Sequence, residues 1–568
     1  MTYIQSSPGQ SPETLSGGQI LVRSLQAQGV DRAFGVPGES YLAVLDALCD
    51  APDIEMVTCR QEGGAAMMAE ADGRLIGRPG VCFVTRGPGA TNASAGVHVA
   101  YQASTPMVLF IGQVARNQQD REAFQEIDYR RMFGQMAKWI AQVESPTRLP
   151  EYINRAFAVA MSGRPGPVVI ALPEDMLRET SSFHPLPSVP PIPVAAPAQS
   201  DLVALQELLA VSERPLVLCG ESGWNHEARE LLQAFCEAHG VAAVAAFRCQ
   251  DRFDNSHPNY IGDCGLGINP ALRQRIESAD LVLVLGGRLS EIVTQNYEIL
   301  VASGNQKLVH VHPCPDELVS VRQPDIAMVS QVEAVAEALL KTPPAEDILP
   351  QRKAWVSEAR ASYEAWSTPG TIPGTLQYGE LVQHLCEQLP EDAIICNGAG
   401  NYTVWVHRYY RYRAAHSQLA PISGSMGYGL PAAIAAKLRH PDRDVLCFAG
   451  DGCLQMTMQE LATAKQYGAN IIVLVVNNGS YGTIRTHQEK NYPGRVMATE
   501  LLNPDFAALA SAYGFHSASV DRTEDFFPAF EAARAAGVPG LIELRLPLEA
   551  LSPSVTLSQL QNAAKNKN

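Results

Sequence analysis

The chain has 568 residues, 46% hydrophobic and 18% charged, with a net charge of −16. That length predicts about three or four domains, the acidic balance argues against nucleic acid as a partner, and no apolar run is long enough to span a membrane. Twelve cysteines lie scattered with no CxxC pair, which indicates neither a zinc site nor a disulfide framework and fits reduced thiols in a cytoplasm.

Residues 1–15 lack the basic and apolar regions of a signal peptide and read as a flexible lead-in. A first block, 16–180, alternates strand runs such as Gly80 to Thr85 and Pro167 to Leu172 with helical patterns, which predicts a parallel α/β sheet. Phe34-Gly35-Val36-Pro37-Gly38-Glu39-Ser40 is a glycine-proline loop after a short strand. Ile54 to Cys59 reads as a strand, and Arg60-Gln61-Glu62-Gly63-Gly64-Ala65-Ala66 opens a small-residue helix. Taken alone, Glu62 is a solvated first-turn residue favoured by the helix dipole. Gly87-Pro88-Gly89-Ala90-Thr91-Asn92 opens another helix, and Gly112-Gln113-Val114 ends a further strand.

Ser181 to Ser200 is proline-rich and predicted to be an extended linker. The central block, 201–340, carries strand runs at Pro215 to Cys219 and Leu281 to Leu285. It has Gly220-Glu221-Ser222-Gly223 after a strand but no GxGxxG, and Gly265-Leu266-Gly267 opens no clear helix. A bound dinucleotide such as FAD is therefore not supported, although the pattern does not exclude it. His310 and His312 share one face of a strand, where a structural role outweighs metal binding. A break from Lys341 to Pro350, then a helical segment and a loop, fill 341–374.

The third block, 375–550, holds the most informative pattern. Asp444 to Ala449 is a buried-strand run, Gly450-Asp451-Gly452 turns the chain, Met456 to Tyr467 has helix-forming composition, and Ile471 to Val476 is a second buried strand ending in Asn477-Asn478-Gly479. In a right-handed βαβ unit both strands run the same way, so Asp451 and Asn478 emerge at one edge, roughly 5 Å apart if the strands are neighbours. A carboxylate and an amide oxygen there suit Mg²⁺, and the glycines admit a phosphate near a helix N-terminus. Residues 551–568 form a C-terminal tail.

This pattern resembles the diphosphate-binding motif of thiamine diphosphate (ThDP) enzymes. The resemblance implies that Asp451 and Asn478 bind Mg²⁺ through their side chains and Ser480 through its carbonyl, with Gly450, Gly452, Cys453, Tyr481 and Gly482 lining the cofactor. It extends to Asn397-Gly398-Ala399-Gly400-Asn401, a second diphosphate loop contacting through Gly400 and Asn401, and to Gly424-Ser425-Met426-Gly427, a pyrimidine-binding segment. There the Gly424 carbonyl accepts from the pyrimidine amino group and Met426 props the cofactor into a bent shape, although a methionine before a helix alone reads as core filler. In the first block RQEGGAA matches the family's glutamate segment. Carried over, Glu62 protonates the pyrimidine N1′, the imino tautomer takes the thiazolium C2 proton, and the ylid is the nucleophile.

The first-block loops resemble the acetohydroxyacid (acetolactate) synthase branch. They imply a polar contact from Gln113 and a substrate pocket including Gly38, Glu39, Ser40, Phe124 and Gln125. The implied fold is three doubly wound parallel-sheet α/β domains: pyrimidine-binding, central and diphosphate-binding. The implied activity is ThDP- and Mg²⁺-dependent decarboxylation of a pyruvate-like 2-keto acid and ligation of the enamine to a second carbonyl, by a homodimer or homotetramer with the active site between subunits.

Two departures matter. The branch continues GARFDDR, whose last arginine binds the second acid's carboxylate. Here the segment is Gly286-Gly287-Arg288-Leu289-Ser290-Glu291-Ile292, and Ile292 cannot pair with a carboxylate. The acceptor-pocket tryptophan corresponds to His487. Arg485 is either a replacement cation or a surface arginine. The runner-up activities keep the cofactor: a non-ligating decarboxylase, a 2-hydroxy ketone lyase, or oxidation through a flavin. A catalytically silent ThDP-binding subunit is a different class, which the intact Glu62, Asp451 and Asn478 oppose.

Overall fold

The computed structural model describes residues 13–183, 195–300 and 304–565, and the chain divides into two compact units, 1–192 and 193–568. In the first, β1 (Glu13–Ser16) pairs antiparallel with β8 (Thr180–Phe183), while β2 (Arg32–Gly35), β3 (Glu55–Thr58), β4 (Gly80–Val84), β5 (Met107–Gln113), β6 (Trp139–Gln142) and β7 (Pro167–Pro173) form a parallel sheet ordered β3-β2-β4-β5-β7-β6. Residues 13–15, expected within a flexible lead-in, are thus strand. So are residues 181–183 at the head of the expected linker, whereas 1–12 and 184–194 lie outside the described residues.

Helix α1 (Glu62–Ile76) and helix α2 (Pro88–Ala103) lie against each other. Their contact is close because both faces are small: a Cβ on Gly96 of α2 would sit 2.4 Å from the Ala66 Cβ of α1. Since every sheet strand is parallel, both helices begin at the carboxyl edge of the sheet, which brings Glu62 and the Gly87 turn to one place.

The second unit contains two sheets. The central one comprises β9 (Pro215–Cys219), β10 (Ala242–Ala246), β11 (Tyr260–Cys264), β12 (Leu281–Leu285), β13 (Lys307–His312) and β14 (Ile326–Val329), ordered β11-β10-β9-β12-β13-β14. The other comprises β15 (Ile394–Asn397), β16 (Gln418–Leu419), β17 (Val445–Gly450), β18 (Ile472–Asn477), β19 (His516–Val520) and β20 (Gly540–Arg545), ordered β16-β15-β17-β18-β20-β19. All pairs in both are parallel. Three parallel α/β sheets are what alternating apolar runs and helical patterns demand, because strands such as Leu281–Leu285 are buried on both faces. The third sheet repeats the relative strand order of the first, a duplication without any short sequence repeat.

The helices that matter for the site are α3 (His226–His239), α4 (Leu349–Trp366), α5 (Tyr402–Tyr409), α6 (Asp451–Leu454), α7 (Leu461–Gln466), α8 (Gly482–Asn491) and α9 (Leu557–Lys565). Part of the expected tail is therefore a helix, α9, packed on α8. The central and third domains are joined by buried polar contacts. Asn255 and Tyr412 exchange main-chain and amide hydrogen bonds, at 3.0 Å each, and Gln250 donates to the His407 carbonyl at 2.7 Å. No described helix is long and apolar enough to cross a membrane.

Candidate active site

β17 and β18 are neighbours in register, Gly450 opposite Val476, so Asp451 and Asn478 leave the sheet at the same edge. Asp451 begins α6 directly. The helix expected over Met456 to Tyr467 is shorter: the chain breaks at Gln455–Thr457, where the Thr457 hydroxyl donates to the Gly427 carbonyl at 2.7 Å, and α7 starts only at Leu461. This tertiary bond pins the turn against the Gly427 loop.

The Asp451 side chain is 4% exposed. Its Oδ1 accepts from the Gly452 N–H at 2.8 Å, and its Oδ2 from the Gly479 N–H at 2.9 Å and Asn503 Nδ2 at 2.8 Å. Burial still pushes its carboxyl above the ordinary range, against those bonds. Among the described residues it has no ion-pair partner. Asn478 Oδ1 accepts from the Ser480 N–H at 3.1 Å, while the Ser480 hydroxyl is turned away to the Thr499 carbonyl. Asn503 also donates to Asn477 Oδ1 at 2.8 Å. No sequence signal marked Asn503, which lies far along the chain in a loop; only the fold brings it to the motif.

Small residues are required here. A Cβ on Gly452 would lie 2.5 Å from the Tyr481 ring, and one on Gly398 2.4 Å from Cys453 Sγ. Cys453 ties the loops together, accepting from the Gly427 N–H at 3.2 Å and the Tyr402 hydroxyl at 3.3 Å. The Asn401 amide is held by α8, accepting from Thr483 and donating to Thr486 at 2.8 and 3.0 Å. The imagined Gly482 Cβ has the Asn478 and Asn401 amides as its nearest atoms. Gly400 begins this approach to α5, and Gly424, with φ +70°, turns the chain before Met426, which packs on the edge of the third domain's core. Nearly all the expected residues of this unit thus converge on one edge of the third sheet.

Arg485 is neither a surface group nor unpaired. It holds the buried Glu489 through two bonds to Oε1, at 3.0 and 2.9 Å, and Gln561 of α9 donates to the same oxygen. His487 is exposed. Ile292 packs against the apolar core of the central domain.

In the first unit, Asn92 Nδ2 donates to Glu62 Oε2 at 2.9 Å, and a Cβ on Gly89 would sit 3.3 Å from Glu62 Oε1. In the sequence Asn92 is one residue of a helix opening, and its pairing with Glu62 is visible only in the fold. Gln113 is buried with both amide ends engaged, donating to the Ile127 carbonyl and accepting from the Val114 N–H. Ser40 bonds Thr85 at 2.9 Å behind Gly38, while Glu39 is exposed. Gln125 has φ +66° and packs on Gly87, and Phe124 beside it is 76% exposed.

Models of the thiamine pyrophosphate enzyme N-terminal TPP binding domain, central domain and C-terminal TPP binding domain match residues 15–132, 202–339 and 398–544. The acetolactate synthase large subunit of Corynebacterium glutamicum is 32% identical over 92% of this chain and 85% of its own length. The chain belongs to the thiamine pyrophosphate (ThDP) enzyme family. Further relatives of this ThDP enzyme are the acetolactate synthase isozyme 2 large subunit of Escherichia coli, 29% identical over 95% of this chain and 97% of its own, and the acetolactate synthase large subunit of Lactococcus lactis, 32% identical over 89% and 88%. Its first and third domains are the two TPP binding domains.

Proposed function

We propose that this ThDP enzyme is a Mg²⁺-dependent 2-keto acid decarboxylase and carboligase of acetolactate synthase type. The observation that carries the proposal is Asp451: a buried carboxylate with no ion-pair partner among the described residues, at the joint carboxyl edge of two parallel strands, the second of which leads into Asn478 and Ser480. A carboxylate, an amide oxygen and a carbonyl would suit a hard divalent ion, which would supply positive charge for a diphosphate. Asp451, Asn478 and the Ser480 carbonyl hold the metal. Gly400, Asn401, Gly450, Gly452, Cys453, Tyr481 and Gly482 form the diphosphate cradle, and Gly424 and Met426 orient the pyrimidine.

When bound, ThDP supplies a carbanion nucleophile and an electron sink for decarboxylation. The chain's own contribution is proton control. Asn92 fixes Glu62 Oε2 as an acceptor, so Oε1, which carries no hydrogen bond among the described residues, is the oxygen that holds and delivers a proton. Gln113, Gly38, Glu39, Ser40, Phe124 and Gln125 belong to the pocket wall; Gln113 serves by holding its backbone in place. Glu62 and Met426 come from different subunits of a closed dimer. Glu62→Gln tests the reading: turnover falls to near background while ThDP is retained, and unchanged turnover removes the assignment.

A second reading is favoured by Ile292 and Arg485. One is apolar and the other committed to Glu489, so the acceptor is an aldehyde, or the aldehyde product is simply released. Product analysis separates the two.

A further inference from the structure

The central sheet has the relative strand order 3-2-1-4-5-6, with the switch point between β9 and β12. Open parallel sheets of this order take dinucleotides in the crevice beyond that point, with phosphate on a glycine turn and a helix N-terminus. Each of those three places is already filled by the chain itself.

The turn after β9 carries Glu221, whose carboxylate is ion-paired with Arg288 of the turn after β12; their side chains are 7% and 14% exposed. Burial raises the Glu221 carboxyl, but the Arg288 charge and hydrogen bond outweigh it and keep it below the ordinary carboxylate range. The cation a phosphate would need is thus neutralised by a carboxylate that would repel the phosphate. The turns are also zipped beyond the strands: the Gly220 N–H donates to Leu285 O at 2.9 Å and the Ser222 N–H to Gly286 O at 2.8 Å. Backbone meets backbone so closely that a Cβ on Gly220 would lie 2.0 Å from the Gly287 Cα. The N-terminus of α3, finally, is capped by Asn225, whose Oδ1 accepts from the Ala228 N–H at 2.8 Å and whose amide donates to Glu333.

The neighbouring imidazoles add no anion site. His310 Nε2 is bonded to the Gly287 carbonyl, so it carries the proton and Nδ1 is an acceptor. His312 Nδ1 accepts from the Cys314 N–H, leaving Nε2–H as a donor. Burial lowers the pKa of each ring and so disfavours its charged form. One acceptor and one donor on neutral rings answer to a small neutral molecule such as water, not to a phosphate.

We infer that the Glu221–Arg288 pair, the zipped turns and the Asn225 cap take the place of a dinucleotide phosphate, so that the central domain binds neither FAD nor an adenine nucleotide. This is independent of the proposed reaction, since its failure leaves the ThDP site untouched. The test uses the full-length enzyme loaded with ThDP and Mg²⁺. Expected are no flavin or adenine nucleotide released on denaturation, and no calorimetric binding of FAD or ADP at concentrations up to about 1 mM. Stoichiometric FAD in the purified protein, or ADP binding in the micromolar range, overturns the inference. Glu221→Ala uncovers Arg288 and is expected to gain a thermal shift with inorganic phosphate that the parent lacks; no gain overturns the role given to Glu221. Should that variant not fold, Glu221→Gln removes the charge while keeping the shape and is read the same way.

Discussion

Replacing Asn503 by alanine probes how the proposed metal edge is held. Its amide nitrogen donates to both Asp451 Oδ2 and Asn477 Oδ1 at 2.8 Å, and its oxygen accepts from Gln455 at 3.0 Å. The bond to the carboxylate is worth about 1.5–3 kcal/mol and each neutral one about 1 kcal/mol. The side chain is half-buried, so water replaces part of this, and a net loss of about 2 kcal/mol is expected for the apo protein. If Asp451 is the metal ligand proposed, removing the partner that orients it also lowers metal affinity by about 10–100-fold. Urea denaturation of the apo protein reads the first effect, and a Mg²⁺ titration of ThDP binding, followed by fluorescence, reads the second. A variant with parental stability and parental Mg²⁺ dependence would refute the view that Asn503 holds Asp451 in place.

Asp451→Ala is expected to abolish Mg²⁺-dependent ThDP binding, checked by calorimetry. In Gly452→Ala the new Cβ would meet the Tyr481 ring, 2.5 Å away, so Tyr481 must move and ThDP affinity should fall about tenfold, by the same titration. Burial raises the Asp263 carboxyl to about 7. An acid raised on folding destabilises the native state progressively as pH climbs from its unfolded value, about 4, to its folded one. Asp263→Asn should therefore gain roughly 2–4 kcal/mol over the parent at pH 8, with the gain shrinking toward pH 4, as read by denaturation at several pH values. A gain independent of pH would show that the carboxylate is not the cause.

Much of the fold is legible in the chain because its strands are buried on both faces and leave unbroken apolar runs: Pro215–Cys219 and Leu281–Leu285 stand where the runs end. The Asp451–Asn478 edge is legible for the same reason, since two such runs flanking a glycine turn leave little freedom in where their ends point. What the pattern does not carry is tertiary. Asn503 and Asn92 reach their partners through loop and helix packing that no local period records. The turn at Gln455–Thr457 is pinned by a hydroxyl bonding the Gly427 carbonyl, a tertiary contact. Arg485 looks like a surface or acceptor residue until Glu489, four residues on, is seen to be buried with it and tied to α9, a helix in what reads as a tail. Thr14 and Leu15 look like part of a flexible start because their pairing strand lies at the far end of the domain.

The most direct test of the central claim is NMR analysis of products from ¹³C-labelled pyruvate supplied with ThDP and Mg²⁺. The account predicts consumption that requires both cofactors and is lost in Glu62→Gln, with acetolactate as the product, or acetoin or acetaldehyde if Ile292 and the committed Arg485 leave no place for a second carboxylate. Pyruvate and a panel of other 2-keto acids all remaining unchanged with the loaded enzyme would contradict it.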